Sequence, residues 1–108
     1  MPLALTGMPS MVTSSGATTS NVIRQFDDAW ALTIYSPATL TSTAVTINVE
    51  PTDTGTSFVT LQSGGTDVVI AAGKATVISP VPFMQMQILC DQAEGDDREF
   101  RVTKTILT

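Results

Sequence analysis

The side chains best equipped for chemistry in this chain are acidic, and they crowd into one stretch, Asp91-Gln92-Ala93-Glu94-Gly95-Asp96-Asp97-Arg98-Glu99. Oxygen-rich loops of this kind hold Ca²⁺ when their ligands recur at EF-hand spacing. Here Ala93 and Gly95 stand where oxygen ligands would be required, so a solvated hairpin loop is expected. Carboxylate pairs can also run acid–base chemistry when they face each other across a cleft. The acids of this chain instead gather at turns, where solvent is the default surrounding.

The chain has no histidine. That removes Ser-His and Cys-His dyads, the common zinc ligand sets and the usual general base near neutral pH. Gly64-Gly65 and Gly73-Lys74 lack the spaced glycines and following Lys-Ser/Thr of a phosphate loop, and they read as turns. Cys90 is the sole cysteine, so no intrachain disulfide can form, and its neighbours Ile88 and Leu89 mark it as a buried, apolar thiol. The residues therefore predict no catalytic site, no metal and no cofactor.

Composition points the same way. The 108 residues suit one domain with one modest core. Only 14% are charged, with five cations against ten acids and a formal net charge of -5. No basic stripe exists to neutralise a phosphate backbone, so direct nucleic-acid binding is not expected. No run approaches the roughly 20 apolar residues of a membrane-spanning helix. The opening Met1-Pro2-Leu3-Ala4-Leu5 lacks the positive start of a signal peptide, which suggests a soluble protein made inside the cell.

About a quarter of the residues are Ser or Thr, and threonine's branched β-carbon suits a pleated surface. Strand-length segments between turn signals are read at 22–26, 30–35, 44–50, 57–61, 67–71, 75–79, 83–89 and 98–106. Alternation is clearest in Val45-Thr46-Ile47-Asn48-Val49-Glu50, and in Met84 to Ile88, where Gln85 and Gln87 point away from Met84, Met86 and Ile88. Trp30 is expected on the core face with Leu32 and Ile34, leaving Tyr35 outward as the better candidate for an exposed contact. The short connectors imply antiparallel pairing. Pro80-Val81-Pro82, short of two backbone donors, is expected at a corner or edge between sheets. The fold class is all-β: an antiparallel, jelly-roll-like β-sandwich of about eight strands over residues 22–108.

Residues 1–21 read as a separate, extended N-terminal arm, broken by Gly7, Pro9, Gly16 and a Ser/Thr run. Met1, Leu3, Leu5, Met8, Met11 and Val12 make it too apolar for a solvated linker. An apolar arm needs a surface, and a neighbouring chain is favoured over its own domain. As a strand it could add to a neighbour's sheet edge, with Met1, Leu3 and Leu5 entering pockets.

Residues 66–83, Thr66-Asp67-Val68-Val69-Ile70-Ala71-Ala72-Gly73-Lys74-Ala75-Thr76-Val77-Ile78-Ser79-Pro80-Val81-Pro82-Phe83, set a strand, an Ala-Gly turn, a second strand and a Pro-Phe corner in order. The pattern resembles β-sandwich proteins of tailed-bacteriophage particles, especially head decoration or cement proteins. That resemblance implies a non-enzymatic virion protein, made in the host cytoplasm. It would act as a homo-oligomer, a trimer being favoured, bridging subunits of the major capsid protein or another virion protein. A carbohydrate- or receptor-binding module and a tail or neck component are the alternatives.

Overall fold

The computed structural model describes residues 2–24, 26 and 28–107, and it is all-β: no helix occurs among them. Ten strands are formed: β1 (Leu3–Thr13), β2 (Ala31–Tyr35), β3 (Val45–Glu50), β4 (Val59–Thr60), β5 (Gln62–Ser63), β6 (Thr66–Asp67), β7 (Val69–Ile70), β8 (Ala75–Ile78), β9 (Gln85–Cys90) and β10 (Arg98–Leu107).

The first sheet runs β1-β10-β2-β8, with every pair antiparallel. In the second, β3 lies between β9 on one side and β4 and β7 on the other. Residues 18–23 run along the outer side of β9, bridged at Thr19 to Leu89 and at Ile23 to Met86. Counting that segment as a strand and the β4–β7 region as one, the eight segments follow jelly-roll order, 1-8-3-6 in one sheet and 2-7-4-5 in the other. The chain thus changes sheet at nearly every connection. The corner expected at Pro80–Pro82 carries it from β8 in one sheet to β9 in the other, with Ser79-Pro80 in the cis form.

The core is the sum of the inward rows. Leu32, Ile34, Ile78, Phe100 and Val102 face Val45, Ile47, Ile70, Met86, Ile88 and Cys90, all at most 7% exposed. Each such apolar side chain, once buried, contributes roughly 1.5–3 kcal/mol. Phe26 and Phe83 plug one side of the core edge to face, with ring centroids 5.4 Å apart. Gln85 and Gln87 point opposite to Met86 and Ile88, as the alternation predicts.

Four expectations need correction. The strand predicted over 22–26 is absent among the described residues. Its pairing to β9 is made by 18–23, while Ile23 and Phe26 enter the core as loop residues and Gln25 lies outside the described residues. The strand predicted over 57–61 is reduced to Val59–Thr60, and that over 67–71 is split by Val68 between β6 and β7. There β5 and β6 leave the sheet as a hairpin, which Gly64 and Gly65 allow by adopting φ of 62° and 82° at its turn. Trp30 lies outside the core, 51% exposed, because it precedes β2 at the end of the sandwich, where no opposing sheet covers it.

Most of the segment read as an arm is ordered on the domain itself. Residues 3–13 are the edge strand β1, paired antiparallel to β10 from Leu3–Leu107 to Thr13–Arg98. The register slips between Met8 and Met11, where Met8 pairs with Val102 and Met11 with Phe100. This places Pro9 and Ser10 together opposite Arg101, a β-bulge that suits a proline with no donor to give. Without the extra residue, Met8 and Met11 would point to opposite faces. With it, both turn toward the core.

Candidate functional site

The acidic stretch is built into the fold by its own hydrogen bonds. Glu94 turns inward with its side chain wholly buried. It accepts from the Thr41 and Ser42 N–H groups at 2.8 Å each, from Ser42 Oγ at 2.6 Å and from Arg98 Nε at 2.9 Å. Burial alone would raise its pKa, but these donors outweigh it and hold Glu94 at about 2. Asp91 accepts from Thr43 N and Oγ1, and that hydroxyl bond holds its carboxyl below the usual range. Asp97 accepts from Ser15 N at 2.8 Å. The carboxylates therefore fasten loops 39–43 and 13–17 to the β9–β10 connection. Among the described residues no group of three acids or cysteines is placed to hold a metal ion.

At the opposite end of β3 and β9 a second polar cluster is equally self-contained. Gln85, 1% exposed, donates to the Thr52 and Gly55 carbonyls and accepts from Arg24 Nε. Glu50 accepts from Thr52 N and Oγ1. Cys90 is buried, and burial pushes its thiol pKa up, away from reactivity.

The sites with unmet binding capacity are apolar. Among the described residues β1 is an edge strand, with β10 as its one strand neighbour. Part of its outer side is closed by Asn21, which accepts from Val12 N at 2.7 Å and donates to the Ser10 carbonyl at 3.2 Å. Before the bulge, both leucines of the strand point outward: Leu3 is 54% exposed and Leu5 71%.

Cross-strand rows show what surrounds them. Leu3 pairs with Leu107, itself exposed; Leu5 continues to Thr105 and Ala31; Gly7 continues to Thr103, Thr33 and Val77. This half of the outer face contains no charged residue, and Trp30, whose backbone N–H donates to the Thr105 carbonyl, adds an exposed ring at the same end. Lys104 faces the other side, paired with Asp28 at 2.6 Å.

The residues expected to bind a partner thus fall into two sets. Leu3, Leu5 and Val12 point outward, Val12 being 37% exposed. Met8 is half-buried against the core and Met11 is fully inside it; Met1 lies outside the described residues. Sequence reasoning missed Leu107, Thr103 and Thr105 as neighbours of the segment, because pairing between the two chain ends is a non-local contact. It also missed the other edge of the sheet. There Val77 is 66% exposed, beside a groove between β8 and the β5–β6 hairpin lined by Leu61, Val68, Val77, Ile78, Pro80 and Pro82.

No protein-family model matches the chain, and a search of curated proteins finds no relative. Among solved structures, the chain is similar to a protein of the Bacillus endospore appendages, described as a novel family of disulfide-linked pili. The TM-score is 0.54 at 16% identity, covering 96% of this chain and 87% of that one. The likeness is one of fold, a β-sandwich traced over nearly the whole chain.

Proposed function

We propose that this chain is a non-enzymatic structural protein that docks onto other protein chains through the outer edge and face of the β1–β10 ribbon. The observation that carries this reading is the placement of Leu3, Leu5 and Leu107, all more than half exposed, on one uncharged stretch of an edge strand. Edge strands of isolated proteins are normally guarded by charge, and exposed leucines in a row are costly in water. The polar clusters, by contrast, are spent on internal bonds.

The finer address follows the resemblance of residues 66–83 to phage-particle domains: decoration of a phage head, with the major capsid protein or another virion protein as partner and the chain acting as an oligomer. Many identical weak contacts would then stabilise the shell by avidity. The fold shared with a pilus protein is compatible with polymer-forming assembly. Disulfide linkage of the kind described for those pili has no counterpart here, because the sole cysteine is 3% exposed.

Light scattering of the purified chain, alone and with assembled shells, tests the reading. The protein should form a discrete oligomer or co-sediment with shells, and Leu3→Ser/Leu5→Ser should lose that behaviour while remaining folded. Unchanged association in this double variant would refute the ribbon as the docking surface.

A glycan-binding role is the second reading, favoured by the exposure of both Trp30, 51%, and Tyr35, 41%. They stand five positions apart, Trp30 just before β2 and Tyr35 at its end, about 16 Å along a strand, so they would serve separate sugars. Binding on a glycan array that is lost in Trp30→Ala would support this module; a blank array would dismiss it.

A further inference from the structure

We infer that the partner of the β1 edge is a second copy of this chain, and that it docks at β8, the opposite edge of the same sheet. The inference rests on the reading of the β1–β10 ribbon as a docking surface and names what it docks on.

Strand direction carries the argument. In the order β1-β10-β2-β8 every neighbouring pair is antiparallel, so the two edges, three steps apart, run in opposite directions. Two copies set side by side in the same orientation therefore bring β1 of one antiparallel to β8 of the other. The ladder can continue across the junction in the geometry it already has, with backbone N–H and C=O groups of both edges finding partners.

Charge and length agree. Leu3–Thr13 and Ala75–Ile78 contain no charged residue, although the chain carries -5 overall. Contact at these two edges therefore avoids the repulsion that like-charged copies meet elsewhere. Pro9 and Asn21 block β1 from the bulge onward, which leaves Leu3–Met8 for a β8 of four residues.

Side-chain faces agree as well. Leu5 and Val77 both lie on the outer face, so a joined sheet sets them in neighbouring rows as an apolar cross-strand contact. Ala4 and Thr6, on the inward face, are small enough to pass over the groove that opens beside β8. A contact between two different edges is heterologous, and it closes into a ring or runs on as a fibre according to the rotation at each step.

The test uses the full chain. Leu3→Cys, Leu5→Cys and Val77→Cys are made singly, with different tags, and mixed pairwise under mild oxidation; the unsubstituted protein, with Cys90 buried, is the control. A disulfide between the position-77 variant and a position-3 or position-5 variant, in excess of either homodimer, is the expected result. In parallel, Val77→Lys should raise the concentration needed for self-association about tenfold or more.

Homodimers joined through positions 3 or 5 alone would overturn β8 as the acceptor while leaving the ribbon as a docking surface. A monomer at all concentrations, with no cross-link, would overturn self-association. Co-sedimentation with shells that persists in Val77→Lys but fails in Leu5→Ser would then show that the ribbon docks on a different protein. Loss of neither would remove the docking reading itself.

Discussion

The two ends of the β10 strand use surface in opposite ways. At its start, Arg98 joins a loop system dense in carboxylates, and nearly every one of those groups is bonded inside the chain. At its finish, Thr103 to Leu107 lie beside Leu3 to Gly7 in a ribbon whose outer face has no charge and several half-exposed leucines. The charged end resembles a site in the sequence and is a fastening. The plain end looks inert in the sequence and holds the unmet binding capacity. A buried polar group must be satisfied or it destabilises the fold, so a dense polar cluster is more often architecture than function.

Breaking the charged end should have the largest effect. Glu94→Ala leaves the Arg98 guanidinium and the Thr41 and Ser42 N–H groups without their acceptor, and should cost about 3–5 kcal/mol in urea unfolding. A loss below about 1 kcal/mol would mean that water replaces the carboxylate and that the fastening is dispensable.

Acid should act on the same group. With Glu94 at about 2 when folded against an ordinary value of 4.5, the folded state binds its proton less readily than the unfolded one. The contribution is complete above pH 4.5 and is lost as pH falls from there toward 2. Urea midpoints measured across that range should decline in the native chain, and the decline should be shallower in Glu94→Gln.

Gly55→Ala probes the second polar cluster. A Cβ there would fall on the Glu50 carboxyl group, so the variant should lose about 1–3 kcal/mol as Glu50 shifts off Thr52. An unchanged melting temperature would show that this loop yields freely.

Asn21→Ala should cost about 1 kcal/mol, since it strips two hydrogen bonds from the outer side of β1. Its sharper readout is hydrogen exchange at Val12, which should quicken while Phe100 in the core stays protected.

The smallest stability effect belongs to the plain end. Leu5→Ser, at a position 71% exposed, should change folding by no more than about 0.5 kcal/mol, yet abolish self-association seen by light scattering. A large loss of stability with assembly intact would reverse the contrast between the two ends.

Much of the fold was legible from periodicity. β2, β3, β9 and β10 were placed within one or two residues, because each packs one apolar face on the core and so displays period-2 patterning. The β4–β7 region was not, since its two-residue strands are set by a hairpin that leaves the sheet. Trp30 was misplaced for a related reason. Parity along β2 says which side a residue faces, but not where the opposing sheet stops.

The candidate site was half legible. The apolar character of Leu3, Leu5, Met8, Met11 and Val12 marked the N-terminal segment as unsuited to open water, and the lack of histidine directed attention away from catalysis. That Met11 belongs to the core while Leu5 faces out depends on the bulge at Pro9–Ser10, which a strict two-residue period cannot anticipate.

By itself the sequence determined the class of the protein: all-β, antiparallel, weakly charged and without histidine chemistry, because these follow from residue type and local spacing. Only the tertiary structure decided that the first strand pairs with the last, that Glu94 points inward, and that β1 and β8 end one sheet as antiparallel edges. Those are contacts between residues tens of positions apart, chosen by the packing of two sheets on a common core, and no local pattern encodes them.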